Sequence, residues 1–289
     1  MSRDSSVKLF NNANSDDEII KELSIKLEKT EAELNKAKKE LHDEKIHKRI
    51  EINKLIKDRA RFIDNLSHDL ATPLTPLISL IPLIKEDIKD EQTKQLAETC
   101  LRNVKYIKRV IENARELSDI SASDFLLKKE NLYNIVDEII KRYDVVFKSY
   151  NIKIENRIEK DRSIKTEKTR LIQLLDHLIS NSVNAMPNGG VISFDSKPIS
   201  NENGNFIQIK VTDSGIGLNR AQIDRIFNEF FKTDDSRHKL DSTGLGLTIC
   251  KTIVEKHGGK ISADSHGNNT GTSIIFTMPT SESAYSRSF

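Results

Sequence analysis

Apolar positions repeat with a helical period through the first part of the chain. Ile20, Leu27, Leu34 and Leu41 recur every seven residues, and Leu23, Thr30 and Ala37 follow three positions later. Charged residues of both signs fill the positions between them. This weak heptad seam predicts a coiled coil over residues 16–58; a single solvated helix is the other reading. The phase slips around His42–Lys48 and resumes at Ile52, Ile56, Ile63, Leu66 and Leu70. Residues 59–88 continue as an amphipathic helix carrying Pro73, Pro76 and Pro82. A second helix, Glu91–Ile120, lines up Leu96, Cys100, Val104, Ile107, Ile111, Ala114 and Leu117 on one stripe. The polar turn Lys89-Asp90 joins the two into a helical hairpin over residues 59–124. A lone hairpin leaves both stripes in water, so two copies pairing into a four-helix bundle is the expected solution.

From Phe125 the period changes. Leu132–Tyr143, Arg170–Met186 and Thr248–His257 read as helices, while Ile152–Ile154, Val191–Phe194, Ile207–Val211 and Ile274–Met278 alternate like strands. All 11 glycines lie between Gly189 and Gly271, so turns and close backbone approaches gather in the back of the chain. The predicted architecture is therefore α followed by α+β. An N-terminal coiled coil and helical hairpin precede an α/β sandwich over residues 125–280. Residues 1–15 and 281–289 read as unstructured tails.

Composition then narrows the class. Lys and Arg total 46 against 44 Asp and Glu, a net charge of +2, which argues against coating nucleic acid or an anionic membrane. Cys100 and Cys250 are too few for a disulfide framework or a cysteine-rich metal site, and suit a reducing compartment. The longest apolar run, Leu77–Ile84, is broken by Ser79 and Pro82 and falls far short of the ~20 residues that cross a bilayer. No signal-peptide pattern opens the chain. It reads as cytosolic, with no membrane segment and no nucleic-acid partner.

The chemistry gathers in glycine clusters. Asp213-Ser214-Gly215-Ile216-Gly217 follows the strand Ile207–Val211. A carboxylate at a strand end accepts a hydrogen bond from an exocyclic amine, and Gly215 and Gly217 let backbone approach a flat base. Taken alone, the cluster is equally a tight turn. Ser242-Thr243-Gly244-Leu245-Gly246-Leu247 opens the helix at Thr248, where bare backbone N–H groups suit phosphate; a flexible hinge is the plain alternative. Between the clusters, Lys232–Asp241 carries Lys232, Arg237 and His238 and reads as a cationic lid. Asn181, 32 residues before Asp213, offers a neutral hard oxygen for Mg²⁺ shared with nucleotide phosphates.

In this order the segments resemble the ATP-binding domain of two-component sensor histidine kinases, a fold shared with gyrase-type ATPases. His177–Asn181 occupies the N box, Asp213–Gly217 the G1 box and Ile226–Phe231 the F box. Thr243–Leu247 looks like the G2 box, and Gly271-Thr272 like the closing G-T motif. Upstream, Phe62–Leu74 is similar to the H box of the family's dimerisation domain, with His68 as its histidine. The resemblance covers residues 59–280.

It implies a homodimer that binds Mg-ATP, phosphorylates His68 and passes the phosphoryl group to an Asp of a response regulator receiver domain. Dephosphorylation of that regulator is implied as a second activity. In this scheme Asp69 is the general base, at a position the family fills with Glu or Asp, and Thr72 orients the water of dephosphorylation. Asn181 binds Mg²⁺ and Asp213 reads adenine beside Gly215 and Gly217. Lys232, Arg237, Thr243, Gly244, Leu245, Gly246 and Leu247 surround the phosphates.

Three positions depart from the family pattern: Ala71 stands where Arg is common, Ser242 where Gly is frequent, and His177 where the first N-box Asn belongs. His177 either fills space or takes that Asn's place near the phosphates and Mg²⁺; a neutral imidazole copies half of an amide's bonding. A gyrase-type clamp ATPase needs a carboxylate base at position 177 and leaves the H box unexplained. A degenerate scaffold has no need of Asn181, Asp213 and both glycine clusters together.

Overall fold

The computed structural model describes residues 4–201, 204–232 and 242–280, with side chains from Lys21 onward except at 22, 25 and 201. The chain divides into two units, Met1–Lys57 and Asp58–Phe289. Helix α1 (Asp4–Asp87) begins in the first and ends in the second. Its start lies inside the segment that reads as an unstructured tail. No glycine or proline precedes Pro73 in the sequence, so nothing there stops a helix from propagating. The expected tail at 281–289 lies outside the described residues. In the first unit the heptad positions Leu23, Leu27, Leu34 and Leu41 are all more than half exposed in the single chain.

In the second unit, α1 and α2 (Glu91–Ala122) form the hairpin. Asp90 caps α2: its Oδ2 accepts the Thr93 N–H at 2.8 Å and the Thr93 hydroxyl at 2.6 Å. Arg115 Nε meets Asp64 Oδ1 at 2.7 Å across the pair, and Lys85 pairs with Glu98. The apolar stripe is covered only at its C-terminal end, where Leu117 is buried in the main core and Ala114 packs against it, not against a second copy; Leu66, Leu70, Leu77, Leu80, Leu96 and Ile107 remain exposed in the single chain. Pro73 lies within α1 without ending it. Its missing N–H leaves the Asp69 carbonyl without a helical donor, one residue past His68.

The remainder is a two-layer sandwich. Strands β2 (Ile152–Asn156), β4 (Gly190–Asn201), β5 (Gly204–Asp213), β6 (Ile261–Asp264) and β7 (Thr272–Pro279) form one sheet in the order β2-β4-β5-β7-β6. Only β2 and β4 pair in parallel. A separate antiparallel ribbon joins β1 (Lys128–Asn131) to β3 (Ser163–Thr166). Helices α3 (Leu132–Arg142), α5 (Lys168–Ala185) and α7 (Gly246–Lys256) form the second layer, with short α4 (Asp144–Ser149) and α6 (Arg220–Ile223) between elements.

The core follows from the two periods. Along α5, Leu171, Leu174, Leu175, Leu178, Ile179 and Val183 are buried on one stripe. Along β5, Ile207, Ile209 and Val211 face the same layer at period two, and Asp213 continues that row. Asp213 is therefore carried inward by the strand itself. Cys250 lies in the same core, where burial pushes its thiol pKa up, while Cys100 is exposed; neither forms a disulfide.

One buried histidine locks α5 in place. His257, fully buried at the end of α7, contacts the Ile253 carbonyl through Nδ1 at 2.8 Å. Its Nε2 accepts the Glu167 N–H at 3.1 Å and contacts Thr166 Oγ1 at 3.0 Å. A carbonyl only accepts and a backbone N–H only donates, so the proton must reside on Nδ1. Burial holds the imidazole pKa below its ordinary 6.5. The unfolded chain therefore takes up this proton first as pH falls. The stabilisation is complete above pH 6.5 and is lost progressively as pH drops toward the folded value. Urea midpoints should thus decline from pH 7.5 to pH 5 more steeply in the parent than in His257→Gln. At pH 7.5 the variant should be about 2 kcal/mol less stable, because Thr166 and Glu167 lose their partner. Parallel pH dependences in the two proteins would contradict this account.

Candidate active site

The first corner of the candidate site is built where β5 ends. Asp213 is 8% exposed. Its Oδ1 accepts the Gly215 N–H at 2.9 Å and the Thr272 N–H at 3.3 Å, and its Oδ2 accepts the Ser182 hydroxyl at 3.3 Å. Burial raises its pKa, and these three donors oppose the rise. The glycines here are steric requirements. A Cβ at Gly215 would stand 2.7 Å from the Ala185 carbonyl oxygen and 2.9 Å from Asp213 Oδ1. Gly271, at φ +76°, passes so close to the Asp213 backbone that a Cβ would meet its carbonyl oxygen at 2.0 Å. Gly217 is at φ +71° against the Gly267 carbonyl.

The second part of the candidate site lies between α5 and the start of α7. Asn181 is exposed on α5, with His177 one turn earlier and half-buried. A Cβ at Gly246 would sit 3.3 Å from His177 Nδ1 and 3.9 Å from the Asn181 amide nitrogen. Glycine there keeps open a space that these two side chains border. Leu245 is buried and anchors the segment, while α7 begins at Gly246 with first-turn N–H groups that no helical carbonyl reaches. Gly244, at φ +75°, packs against Phe230 and Phe231, and the Thr248 hydroxyl donates to the Phe227 carbonyl at 3.2 Å. The F-box segment is thus tied to the G2-box segment.

The H-box residues form a separate cluster on α1. His68 and Asp69 side chains are 83% and 81% exposed, with His68 Nδ1 3.5 Å from Asp69 Oδ1. The Thr72 hydroxyl donates to the His68 carbonyl at 2.9 Å. Among the described residues, no hydrogen bond or ion pair joins this cluster to the pocket. Arg237 and His238, and with them most of the expected lid, lie outside the described residues; Lys232 is within them.

Comparison with known proteins fits this geometry. Residues 166–282 match the family described as "Histidine kinase-, DNA gyrase B-, and HSP90-like ATPase", and residues 58–123 match the "His Kinase A (phospho-acceptor) domain". The sensor histidine kinase WalK of Bacillus subtilis is 32% identical over 238 residues, covering 80% of this chain and 38% of that protein. The chain belongs to the two-component sensor histidine kinases.

A second relative is the autoinducer 2 sensor kinase/phosphatase LuxQ of Vibrio vulnificus, 29% identical over 75% of this chain and 26% of that protein. The chain thus spans well under half the length of these curated relatives. The solved structure of histidine kinase ThkA in complex with the response regulator protein TrrA has a TM-score of 0.54 at 22% identity. It covers 75% of this chain and 60% of that one, and shows a shared fold. Among the described residues no helix is long and apolar enough to cross a membrane.

Within this histidine kinase, the structure adds Ser182 and three residues of α2 that the sequence did not single out, and gives Thr272 of the closing G-T motif a partner. Ser182 and the Thr272 N–H complete the Asp213 corner. Ser182 had a signal, being adjacent to Asn181 on a turn that faces the sheet. Helix α2 contributes more. Tyr106, Asn113 and Glu116 contact Lys232, Thr243 and His177, and an amphipathic period does not reveal such partners. The Gly215→Ala variant should bind ADP at least about tenfold more weakly by calorimetry, because the added methyl displaces Asp213 or Ala185. Unchanged affinity would show that the corner tolerates a Cβ.

Proposed function

We propose that this chain is an ATP-dependent kinase core that phosphorylates its own His68 and passes the phosphoryl group to an Asp of a response regulator receiver domain. The observation that carries this reading is the pairing of an adenine-type acceptor corner with an exposed, carboxylate-flanked histidine on one chain. Residues 59–124 serve dimerisation and phosphotransfer, residues 125–280 bind ATP, and residues 16–58 form the signalling helix. The uncovered leucine and isoleucine stripes of the hairpin are the surface that a second copy of this chain would bury. Its place of action is the cytoplasm, where ATP is available.

The chemistry assigned to each residue follows its position. His68 Nδ1 faces Asp69, which leaves Nε2 outward as the nucleophile. As the Nε2–P bond forms, the γ-phosphorus bond to the bridging oxygen breaks and ADP leaves with that electron pair. The proton on Nδ1 passes to the Asp69 carboxylate, so the imidazole remains neutral. Asp213 accepts from the adenine amino group. Gly244, Gly246 and Leu247 present backbone to the phosphates, and Lys232 and Thr243 present side chains. Asn181 would hold Mg²⁺ through its amide oxygen in the space that Gly246 keeps open. The ion supplies charge neutralisation of the phosphates when bound. Thr72 serves the return step, dephosphorylation of the regulator, by positioning water.

The test is direct labelling. With Mg-ATP the purified chain should carry a phosphate that acid releases and base does not, as expected of an N–P bond, and His68→Gln should carry none while keeping its melting temperature. Acid-stable label, or full labelling of His68→Gln, would sink the assignment. Thr72→Ala should retain autophosphorylation and lose regulator dephosphorylation by about tenfold or more. Parallel loss of both activities would make Thr72 a structural residue of α1.

A further inference from the structure

Tyr106, Asn113 and Glu116 lie seven and three residues apart on α2, a spacing that puts them on one helix face. That face does not look toward the dimer stripe. Each of the three meets a residue of the nucleotide pocket. The Asn113 amide donates to Thr243 Oγ1 at 2.7 Å, and the Leu245 N–H donates to the same oxygen at 3.3 Å. Lys232 Nζ donates to the Tyr106 hydroxyl at 3.1 Å and sits 4.6 Å above that ring. Glu116 brings both carboxylate oxygens to His177 Nε2, at 3.2 and 3.3 Å.

We propose that this face of α2 is an inhibitory latch that competes with the triphosphate of Mg-ATP for the ATP-binding domain. The proposal rests on the assignment of that pocket to Mg-ATP. Three features make the two occupants incompatible. Both lone pairs of Thr243 Oγ1 are taken up by N–H donors. The Lys232 ammonium must leave the Tyr106 hydroxyl and ring face to reach a phosphate. The Glu116 carboxylate, only partly exposed, lies against His177, which borders the Gly246–Asn181 space. A triphosphate brings like charge to that place, and the repulsion is only partly screened there.

A second set of contacts explains how α2 can release without parting from the domain. Arg170 Nη2 meets Asp119 Oδ2 at 2.8 Å, and Lys256 Nζ donates to the Ser121 carbonyl at 2.8 Å and to the Ser123 carbonyl. Arg170 and Lys256 also lie 5.7 and 5.3 Å from the centre of the Phe125 ring. None of these residues borders the phosphate space. Nucleotide therefore displaces the Tyr106–Glu116 stretch alone, and the end of α2 around Asp119–Ser123 is the pivot.

Calorimetry of the full chain with Mg-AMP-PNP tests the latch. Asn113→Ala carries no charge change and removes one latch hydrogen bond, so it should bind about two- to tenfold tighter than the parent, through a larger population of the open form. Glu116→Gln, which keeps the side-chain shape, should also tighten binding. Equal or weaker binding by Asn113→Ala would overturn the proposal. Nitration of Tyr106 by tetranitromethane gives a readout that needs no variant: the parent should be nitrated faster with Mg-AMP-PNP than without. Equal rates at saturating nucleotide would likewise overturn it. If parent and both variants remain folded yet bind no nucleotide, the pocket assignment itself fails, an outcome distinct from unchanged affinity.

Discussion

The architecture of the pocket depends on one carboxylate held inside a mostly apolar layer. Strand β5 alternates Ile207, Ile209 and Val211 into the core, and the next inward position is Asp213. An acid buried there is tolerable only if its lone pairs find donors. Gly215, Thr272 and Ser182 supply them from the following turn, the neighbouring strand and the overlying helix. Each donor requires close approach, so Gly215 and Gly271 cannot carry a Cβ. The burial of Asp213 thus fixes the G1 turn, the β5–β7 junction and the seat of α5 at once. Asn181 and His177 inherit their positions from that seat.

Helix α2 belongs to two structures in the same molecule. With α1 it forms the hairpin whose leucine and isoleucine stripe is covered only at its C-terminal end in one chain. With α7 and α5 it buries Leu117 and Ile120 at its end and, before them, forms a polar contact that reaches Thr243 and His177. The two faces have different chemistry. The apolar face suits a lasting interface driven by water exclusion. The polar face makes single hydrogen bonds and one contact between a carboxylate and an imidazole, each of modest net worth. A helix arranged in this way can keep its apolar partner while exchanging its polar one.

Much of this was legible in the sequence because backbone constraints concentrate in glycines. Gly215, Gly217, Gly244 and Gly271 mark the turns by residue type alone, and the period-two runs located β4, β5 and β7. The hairpin was equally plain, from Leu96 through Leu117. Other features were hidden for physical reasons. The β1–β3 ribbon consists of Lys128–Asn131 and Ser163–Thr166, short segments without an apolar alternation to mark them. The start of α1 at Asp4 was missed because serine and asparagine favour caps and turns without forbidding helix. The role of Tyr106, Asn113 and Glu116 depends on which surface α2 meets, and a periodic pattern carries no information about the partner. His177 was singled out as a departure from the family, but its carboxylate neighbour lies 61 residues earlier and became visible only with the fold.

The His257 bridge has a consequence for biosynthesis. Its imidazole serves Thr166 and Glu167, which emerge from the ribosome roughly 90 residues before it does. Until α7 has been translated, the N-terminal turn of α5 lacks that acceptor, and the face of α5 that packs on α7 remains in water. The ATP-binding layer therefore cannot close cotranslationally from its N-terminal side. Chains terminated before His257 present an unfinished apolar surface to the quality-control machinery, whereas the hairpin upstream is already complete. A premature stop in this stretch yields phosphoacceptor helices without the layer that carries the Asp213 pocket.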